Sequence, residues 1–368
     1  MKVIVVGGGI MGLCAAWALR RAGWQVALYE QGPLPNPLAS SFDQHRLIRY
    51  AYGAMSNYAR MVREAYAAWD RLWADLGRSH YCETGTLVVA RDEDDWVRRS
   101  FDCLQGMQLP VEAWEPARIA ERLPFLDTSS IGWALFTSTG GVLFAERILR
   151  DLARHLAERG VALHANTRVS EIDPARAAIR TTDGQIDAAD ALVVAAGPWA
   201  PRLVASLRGR VTPSRQVLAY VEPPAEHLPV WRSAPTVVDQ LEAARGGFYA
   251  VPPVDGTGLK MGDHGFSLRG QPDDEREATD QDAEAALAMA RIRLKDFERY
   301  RIVEVRTCFY SVADGERFIV EPQARAWVLA GFSGHGFKFG ALMGEALADT
   351  LAGRRAPEAM TAWAAGHA

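Results

Sequence analysis

Lys2-Val3-Ile4-Val5-Val6-Gly7-Gly8-Gly9-Ile10-Met11-Gly12, at the start of the chain, runs a short apolar segment straight into the pattern G-x-G-x-x-G. Lys2 to Val6 reads as a buried strand, Leu13 to Ala22 as a helix that Gly23 ends, and Val26-Ala27-Leu28-Tyr29 as a second strand closing on Glu30. Glycines at these positions allow a tight turn and close approach of a pyrophosphate, and an acid at the end of the second strand accepts from a ribose hydroxyl. The pattern alone is common, and a glycine-rich turn in another α/β protein would also carry it. Here the strand before it, the helix after it and the acid eighteen residues past Gly12 all stand in place, which makes it a dinucleotide site.

Length and composition bound what surrounds this unit. A chain of 368 residues has room for two domains and a substantial core. With 49% hydrophobic residues and a net charge of −4, neither nucleic acid nor an anionic membrane is an expected partner. Residues 3 to 6 are too short for a signal-peptide core, and no apolar run approaches transmembrane length. Cys14, Cys82, Cys103 and Cys308 show no C-x-x-C or metal spacing, so free thiols, a cytoplasmic location and no metal site are expected.

Further along, Asn57 to Leu76 carries Tyr58, Met61, Ala65, Trp69, Leu72 and Leu76 at helical spacing, a stripe that reads as core packing, with Gly77 to close it. Gly85 to Ala90 is a strand candidate and Phe144 to Arg159 a helix stopped by Gly160. Short strands follow near Val161–His164 and Ala177–Thr182, with Asp183-Gly184 as a hairpin turn, and Ala191 to Gly197 returns to a parallel-type strand. Residues 211 to 300 contain the strands Phe248–Val251 and Gly258–Gly262 and a charged helix near 281–297. The strands at both ends and in the middle form one discontinuous domain, and the two inserts form another.

Near the C-terminus, Ala326 to Ala330 reads as a strand and Ala341 to Leu351 as a helix, separated by Gly331-Phe332-Ser333-Gly334-His335-Gly336-Phe337-Lys338-Phe339. A helix start carries free N–H groups and a positive dipole end, so it favours an anion. Lys338 in that first turn opposes the dipole, and a cation so placed calls for an anionic ligand.

With these segments in view, the chain resembles the glycine/D-amino-acid oxidase class of flavoproteins, in particular the monomeric sarcosine oxidase and N-methyltryptophan oxidase branch. The resemblance spans essentially the whole chain, and it rests on Gly7–Gly12 with Glu30, Ser40–Arg49, Gly140–Leu143, Ala195–Trp199, Gly258–Lys260, Cys308-Phe309-Tyr310 and Gly331–Phe339. It implies an α/β fold, with a discontinuous Rossmann-type FAD-binding domain from residues 1–80, 140–210 and 300–368. Residues 81–139 and 211–299 would form a mainly antiparallel-sheet substrate domain of α+β type. It also implies FAD rather than NAD, a monomer, and oxidation of a secondary-amine amino acid to an imine with O2 reduced to H2O2. A dehydrogenase that passes electrons to another acceptor, and a non-catalytic dinucleotide-binding protein, are the alternatives.

The resemblance also assigns residues. Gly7, Gly9, Gly12, Glu30, Ser40, Val169, Gly197, Gly334 and Gly336 would contact the cofactor, and Cys308, two before Tyr310, would carry it through a thioether. The other reading of Cys308 is a buried free cysteine packing as a small hydrophobe, with Arg306 as its one nearby charge. Arg49 and Lys338 would hold the substrate carboxylate, for which an arginine fork is the best single donor, and Arg46 would lie near the flavin ring. Arg46 and Arg49, three apart, would share a face on one helical turn. If Leu259 and Met261 face the core, Lys260, Gly262 and His264 point the other way, and an Asp255-Gly256 turn brings Tyr249 alongside. The resemblance then places Lys260 over the flavin to promote reaction with oxygen, with Tyr249 and His264 near the substrate. Two departures, Phe42 ahead of the arginine pair and Asp263 before His264, speak against sarcosine itself and for a larger or cyclic side chain.

Overall fold

Burial on both faces explains the apolar strand that opens the chain. In the computed structural model, which describes residues 1–91, 95–239, 247–274 and 276–367, Lys2–Val6 lies between two parallel neighbours, Gln25–Tyr29 and Ala191–Val194. The sheet continues through Ala326–Ala330 to the antiparallel edge strand Ile319–Gln323 on one side, and to Ala162–His164 on the other. Side chains alternate across it. Val3, Val5, Val26, Leu28, Val193 and Leu329 join the large core beneath helices Ile10–Arg21, Ser56–Leu76, Ala145–Glu158 and Gly340–Leu351. Ile4, Val6, Ala27, Leu192, Val194 and Val328 form a second core with Val169 and Ile179 of a three-stranded sheet. Each fully buried Val, Ile or Leu contributes about 1.5–3 kcal/mol, so a strand apolar on both faces is held firmly.

The expected elements appear with shifts of up to four residues at their ends, the largest where the charged helix expected near 281–297 stops at Arg293. Helix Ser56–Leu76 buries Tyr58, Met61, Ala65, Trp69 and Leu72 and ends at Gly77, whose φ of 73° is the left-handed stop that glycine adopts without strain. Strands Ala178–Thr181 and Ile186–Ala188 pair across the Asp183-Gly184 turn, and helix Asp280–Arg293 starts in a capping box formed by Thr279 and Asp282. No helix among the described residues is long and apolar enough to cross a membrane.

A second unit is built on an eight-stranded, mostly antiparallel sheet running from Arg301–Ala313 through Val211–Glu222, Leu259–Gly262, Phe248–Val251, Thr236–Asp239, Thr86–Ala90 and Trp133–Thr137 to Val111–Trp114. The chain is thus a two-domain α/β protein, a discontinuous Rossmann-like region joined to a mixed sheet. Arg301–Ala313 pairs with Val211–Glu222 along its whole length, and the chain returns to the parallel sheet only at Ile319. In register, Lys260 sits opposite Tyr220 on one side and Val251 on the other, while Leu259 and Met261 pack into the core with Phe248 and Ala250.

One local expectation is corrected. Arg46 and Arg49 do not lie on a helical turn, because Arg46–Ile48 is a strand paired antiparallel with Gly141–Leu143. The partner is remote in sequence, and its other edge pairs with Tyr81–Glu83, where a Cβ on Gly141 would stand 2.2 Å from the Cys82 carbonyl oxygen. The two arginines therefore face different neighbours.

Helices Ile10–Arg21 and Gly340–Leu351 make a comparably close contact, where a Cβ on Gly344 would stand 2.3 Å from the Cys14 carbonyl oxygen. Gly344→Ala is expected to lower stability by about 1–3 kcal/mol in urea unfolding. Gly106→Ala, where a Cβ meets nothing within 4 Å, should change it by less than about 0.5 kcal/mol. Equal effects of the two would contradict this packing.

Candidate active site

The turn after the first strand opens onto a cleft enclosing about 1190 Å³ of empty space. Gly7 (φ +109°) makes the bend, and a Cβ there would stand 2.4 Å from the Ala195 carbonyl oxygen. A Cβ on Gly12 would stand 1.9 Å from the Gly7 oxygen, so this residue serves helix-to-strand contact and does not line the cleft. Gly9 does line it, with only the Ser41 hydroxyl 3.3 Å from where its Cβ would be. Glu30 stands at the same end, accepting from Gly8 N–H at 2.6 Å and from the Asn36 side-chain amide at 2.8 Å. Ser40, Arg46, Val169, Gly197, Tyr310, Gly334 and Gly336 also line it. A cleft with bare glycine backbone, an acid and an arginine in its wall fits a dinucleotide cofactor.

Near the Gly331–Phe339 segment lie two cations, Lys338 buried and Arg49 half-buried. Lys338 falls in the single turn Phe337–Phe339 just ahead of the last long helix of the parallel-sheet unit. Its Nζ donates to the Tyr52 hydroxyl at 2.9 Å and to the His335 carbonyl at 3.0 Å. The Tyr52 hydroxyl lies 3.1 Å from His335 Nδ1, and His335 Nε2 lies 2.9 Å from the Glu316 carbonyl. With Lys338 donating, the tyrosine donates to Nδ1 and the neutral ring donates from Nε2, so the chain of donors is complete. Burial and the Lys338 charge push His335 down to about 3, which keeps that ring neutral. Arg49 donates to the Ala51 carbonyl, and its guanidinium carbon lies 5.2 Å from the centre of the Tyr52 ring, on which Lys338 Nζ also sits at 5.3 Å. No carboxylate among the described residues lies within ion-pair distance of either cation. Burial, and then the charge of Arg49, hold Lys338 well below the ordinary lysine range.

A second cluster adjoins the first. Lys260 Nζ donates to Asp43 Oδ2 at 2.6 Å and to the His45 carbonyl at 3.3 Å. Arg46 and the Tyr220 hydroxyl also donate to Asp43, Arg306 approaches it to 3.6 Å, and Arg46 further donates to the Ser40 carbonyl at 2.8 Å. Burial works against the Asp43 charge, but Lys260 and Arg46 hold the carboxyl far below the usual carboxylate range. Burial pushes Lys260 down to about 8 against the pull of Asp43, with Arg46 adding to the push.

Tyr249 joins the two clusters, its ring centre 5.9 Å from Lys260 Nζ and 5.3 Å from the His264 ring. Burial and then the Arg49 charge push His264 down to about 3, and its buried Nε2 has no hydrogen-bond partner among the described residues. Cys308 is buried and lines a second cavity with Phe42, Asp43, Arg46, Arg276 and Arg306. Phe42 was expected beside the substrate, and it faces this second cavity instead.

The structure thus brings Arg46, Arg49, Tyr249, Lys260, His264, Cys308 and Lys338 to one region. Three residues there escaped the sequence reading: Asp43, Tyr220 and His335. His335 lay within the quoted glycine segment. Asp43 carried no periodic signal, since the cation that defines it is 217 residues away.

The family model described as FAD dependent oxidoreductase (DAO) matches residues 2–350. The monomeric sarcosine oxidase of Bacillus sp. (strain B-0618) is 30% identical over 361 residues, covering 94% of this chain and 91% of that protein. The N-methyl-L-tryptophan oxidase of Yersinia pestis (strain Pestoides F) is 27% identical over 362 residues, covering 94% and 93%. Among solved structures, L-proline dehydrogenase from P. horikoshii superposes with a TM-score of 0.83 at 19% identity, over 100% of this chain and 96% of that one, a likeness of fold.

Two neighbouring cations with no ion-paired acid among the described residues should take up a simple carboxylate. Sodium acetate is expected to raise the titration midpoint of Lys338, followed by NMR of the protein labelled with [ε-13C]lysine, in which the chain has four lysines to resolve. Arg49→Met should weaken that response, and a midpoint indifferent to acetate would contradict an anion site here.

Proposed function

Because the chain belongs to the FAD dependent oxidoreductase (DAO) family and is an oxidase-type enzyme of the amine and amino-acid oxidase kind, we propose that its substrate is a secondary-amine amino acid, N-methylated or cyclic, with O2 reduced to H2O2. The observation that carries this reading is the pair of cations flanking Tyr52, the buried Lys338 and the half-buried Arg49, with no ion-paired acid among the described residues and only the longer-range charge of Glu316 acting on Arg49. A substrate carboxylate would give both charges the partner they lack, and a guanidinium beside an ammonium suits it. The curated relatives are named for sarcosine and N-methyl-L-tryptophan, both N-methyl amino acids, which supports a secondary amine.

Each residue then has a task. Arg49 and Lys338 bind the carboxylate and orient the carbon next to the amine. His264, neutral and with a free buried Nε2, meets the amine, with Tyr249 beside it. The surrounding cations disfavour an ammonium, so the bound amine is held neutral, as loss of a hydride equivalent from its neighbouring carbon requires. FAD, held by Gly7, Gly9, Glu30, Ser40, Val169, Gly197, Gly334, Gly336 and the nearby Arg46, supplies the two-electron acceptor when bound. Gly12 supports this from behind the turn. Lys260 offers a positive charge, in a site poor in water, to the negative charge that develops on oxygen. Cys308 is the residue proposed to carry the flavin as a thioether. In support, it is the one cysteine of the four that lines either cavity, and although burial pushes its thiol up, Arg46, Lys260 and Arg276 all pull the other way.

Incubating the purified protein without oxygen with N-methyl and cyclic amino acids is expected to bleach the flavin, and admitting oxygen to yield one H2O2 per substrate oxidised. No bleaching by any of them would contradict the substrate class, and bleaching without peroxide would favour another electron acceptor. Arg49→Met should lower kcat/KM by at least about 30-fold, equivalent to about 2 kcal/mol for an unpaired buried charge. After acid precipitation the yellow colour should stay with the pellet, whereas a colourless pellet would remove the Cys308 link and leave FAD in place.

A further inference from the structure

Lys260 is a buried cation beside another buried cation, and one carboxylate makes that arrangement possible. We propose that Asp43 is a positioning residue that keeps Lys260 an ammonium, aimed at the flavin site, and so sets the pH range over which oxygen is reduced. The proposal rests on the reading of Lys260 as the oxygen-reactive cation.

The geometry is specific. Asp43 is 1% exposed, and its Oδ2 takes both Lys260 Nζ, at 2.6 Å, and the Arg46 guanidinium. Its Oδ1 takes the Tyr220 hydroxyl and the backbone N–H of Gln44 at 2.9 Å. Tyr220 is the strand neighbour opposite Lys260, so the sheet register fixes donor and ammonium on the same acid. Among the described residues Asp43 is the one carboxylate that ion-pairs with Lys260. Of the other groups facing Lys260, Arg46 and His45 come from the segment that carries Asp43, Tyr220 and Tyr249 from the adjacent strands, and Cys308 and Arg306 from Arg301–Ala313. Burial and the charge of Lys260 push His45 down to about 4, so it adds no charge at neutral pH.

Two effects of Asp43 oppose each other. Its negative charge offsets part of the Lys260 field, which would slow the reaction with oxygen. It also holds the proton on an amine that burial and Arg46 are driving off. The second effect prevails, because burial already pushes Lys260 down to about 8 against the pull of Asp43. Without Asp43, burial and Arg46 lose their main opponent, and the ammonium is lost at a lower pH. The sign follows: reoxidation is fast below about pH 8, where Lys260 is charged, and falls as the pH rises through that value.

Stopped-flow mixing of reduced holoenzyme with O2 across pH 6–10 isolates this step from substrate binding. Asp43→Asn is expected to move the falling limb down by more than about one pH unit, so that reoxidation is about tenfold slower or more at pH 9 and recovers as the pH is lowered toward 6. A merely structural lesion would not be relieved by acid. The Lys260 resonance in [ε-13C]lysine-labelled holoenzyme, assigned by its loss in Lys260→Met, should show the same downward shift. Should D43N not fold, Asp43→Glu keeps the carboxylate and should hold the limb within about half a unit of wild type; a displacement of a full unit or more overturns the proposal. So does a D43N limb at the wild-type pH, or faster reoxidation at pH 9. If Lys260→Met leaves reoxidation untouched, the role of Lys260 itself fails, which is distinguishable from a slow K260M beside an unshifted D43N.

Discussion

Too many cations held partly or wholly out of water, for too few acids beside them, is the constraint on which this structure turns. Arg46, Arg49, Lys260 and Lys338 converge where the two sheets meet, and Asp43 is the one carboxylate that forms ion pairs with any of them among the described residues. Removing an ammonium or guanidinium from water costs several kcal/mol, and leaving it without a partner costs more still. Asp43 offsets that cost for Arg46 and Lys260. Arg49 and Lys338 have carbonyls, a hydroxyl and the rings of Tyr52, Trp96 and Phe339, and the charge of Glu316 reaches Arg49 only beyond ion-pair distance. A fold that keeps such a pair is one stabilised by what it binds. Only four of the chain's 41 basic residues are lysines, and two of those four are buried here, which makes the placement harder to attribute to chance.

The rest of the architecture keeps those charges in place. The parallel sheet is packed on both faces, so the Gly7 turn, Glu30 and Gly197 project from a platform that does not yield. Arg46 enters from a short strand tied to Gly141–Leu143, Lys260 from a strand locked between two others, and Lys338 from a turn capping a buried helix. Side chains on strands and helix starts are held more tightly than side chains on loops, and electrostatic catalysis depends on charges that need not move. The parallel-sheet unit carries the glycine-rich cleft, and the antiparallel sheet carries Lys260 and Tyr249.

How much of this was legible in the sequence depended on distance along the chain. The segment from Lys2 to Glu30 could be read because strand, turn, helix and acid are consecutive, and each has a local physical reason. The helix ending at Gly77 and the hairpin at Asp183-Gly184 were legible for the same cause. Arg46 and Arg49 misled, since a spacing of three suggests a helical turn while the true partner strand starts at Gly141. Asp43 was invisible, because a lone acid in a loop looks solvated until Lys260 and Tyr220 are folded onto it. Tyr52 lay beside Arg49 in plain view, but its service to Lys338 depended on the remote Gly331–Phe339 segment. Local chemistry shows in a sequence, whereas a charge balance assembled from distant segments does not.

The central claim is that Arg49 and Lys338 exist to hold a carboxylate. It is tested most directly by anaerobic flavin bleaching with an N-methyl amino acid and, in parallel, its methyl ester, which has the same amine and side chain but no negative charge. The acid should bleach the flavin at far lower concentration, with the ester weaker by about two orders of magnitude, the loss expected when a buried charge pair goes unmet. An ester that bleaches the flavin as readily as the acid would contradict the claim.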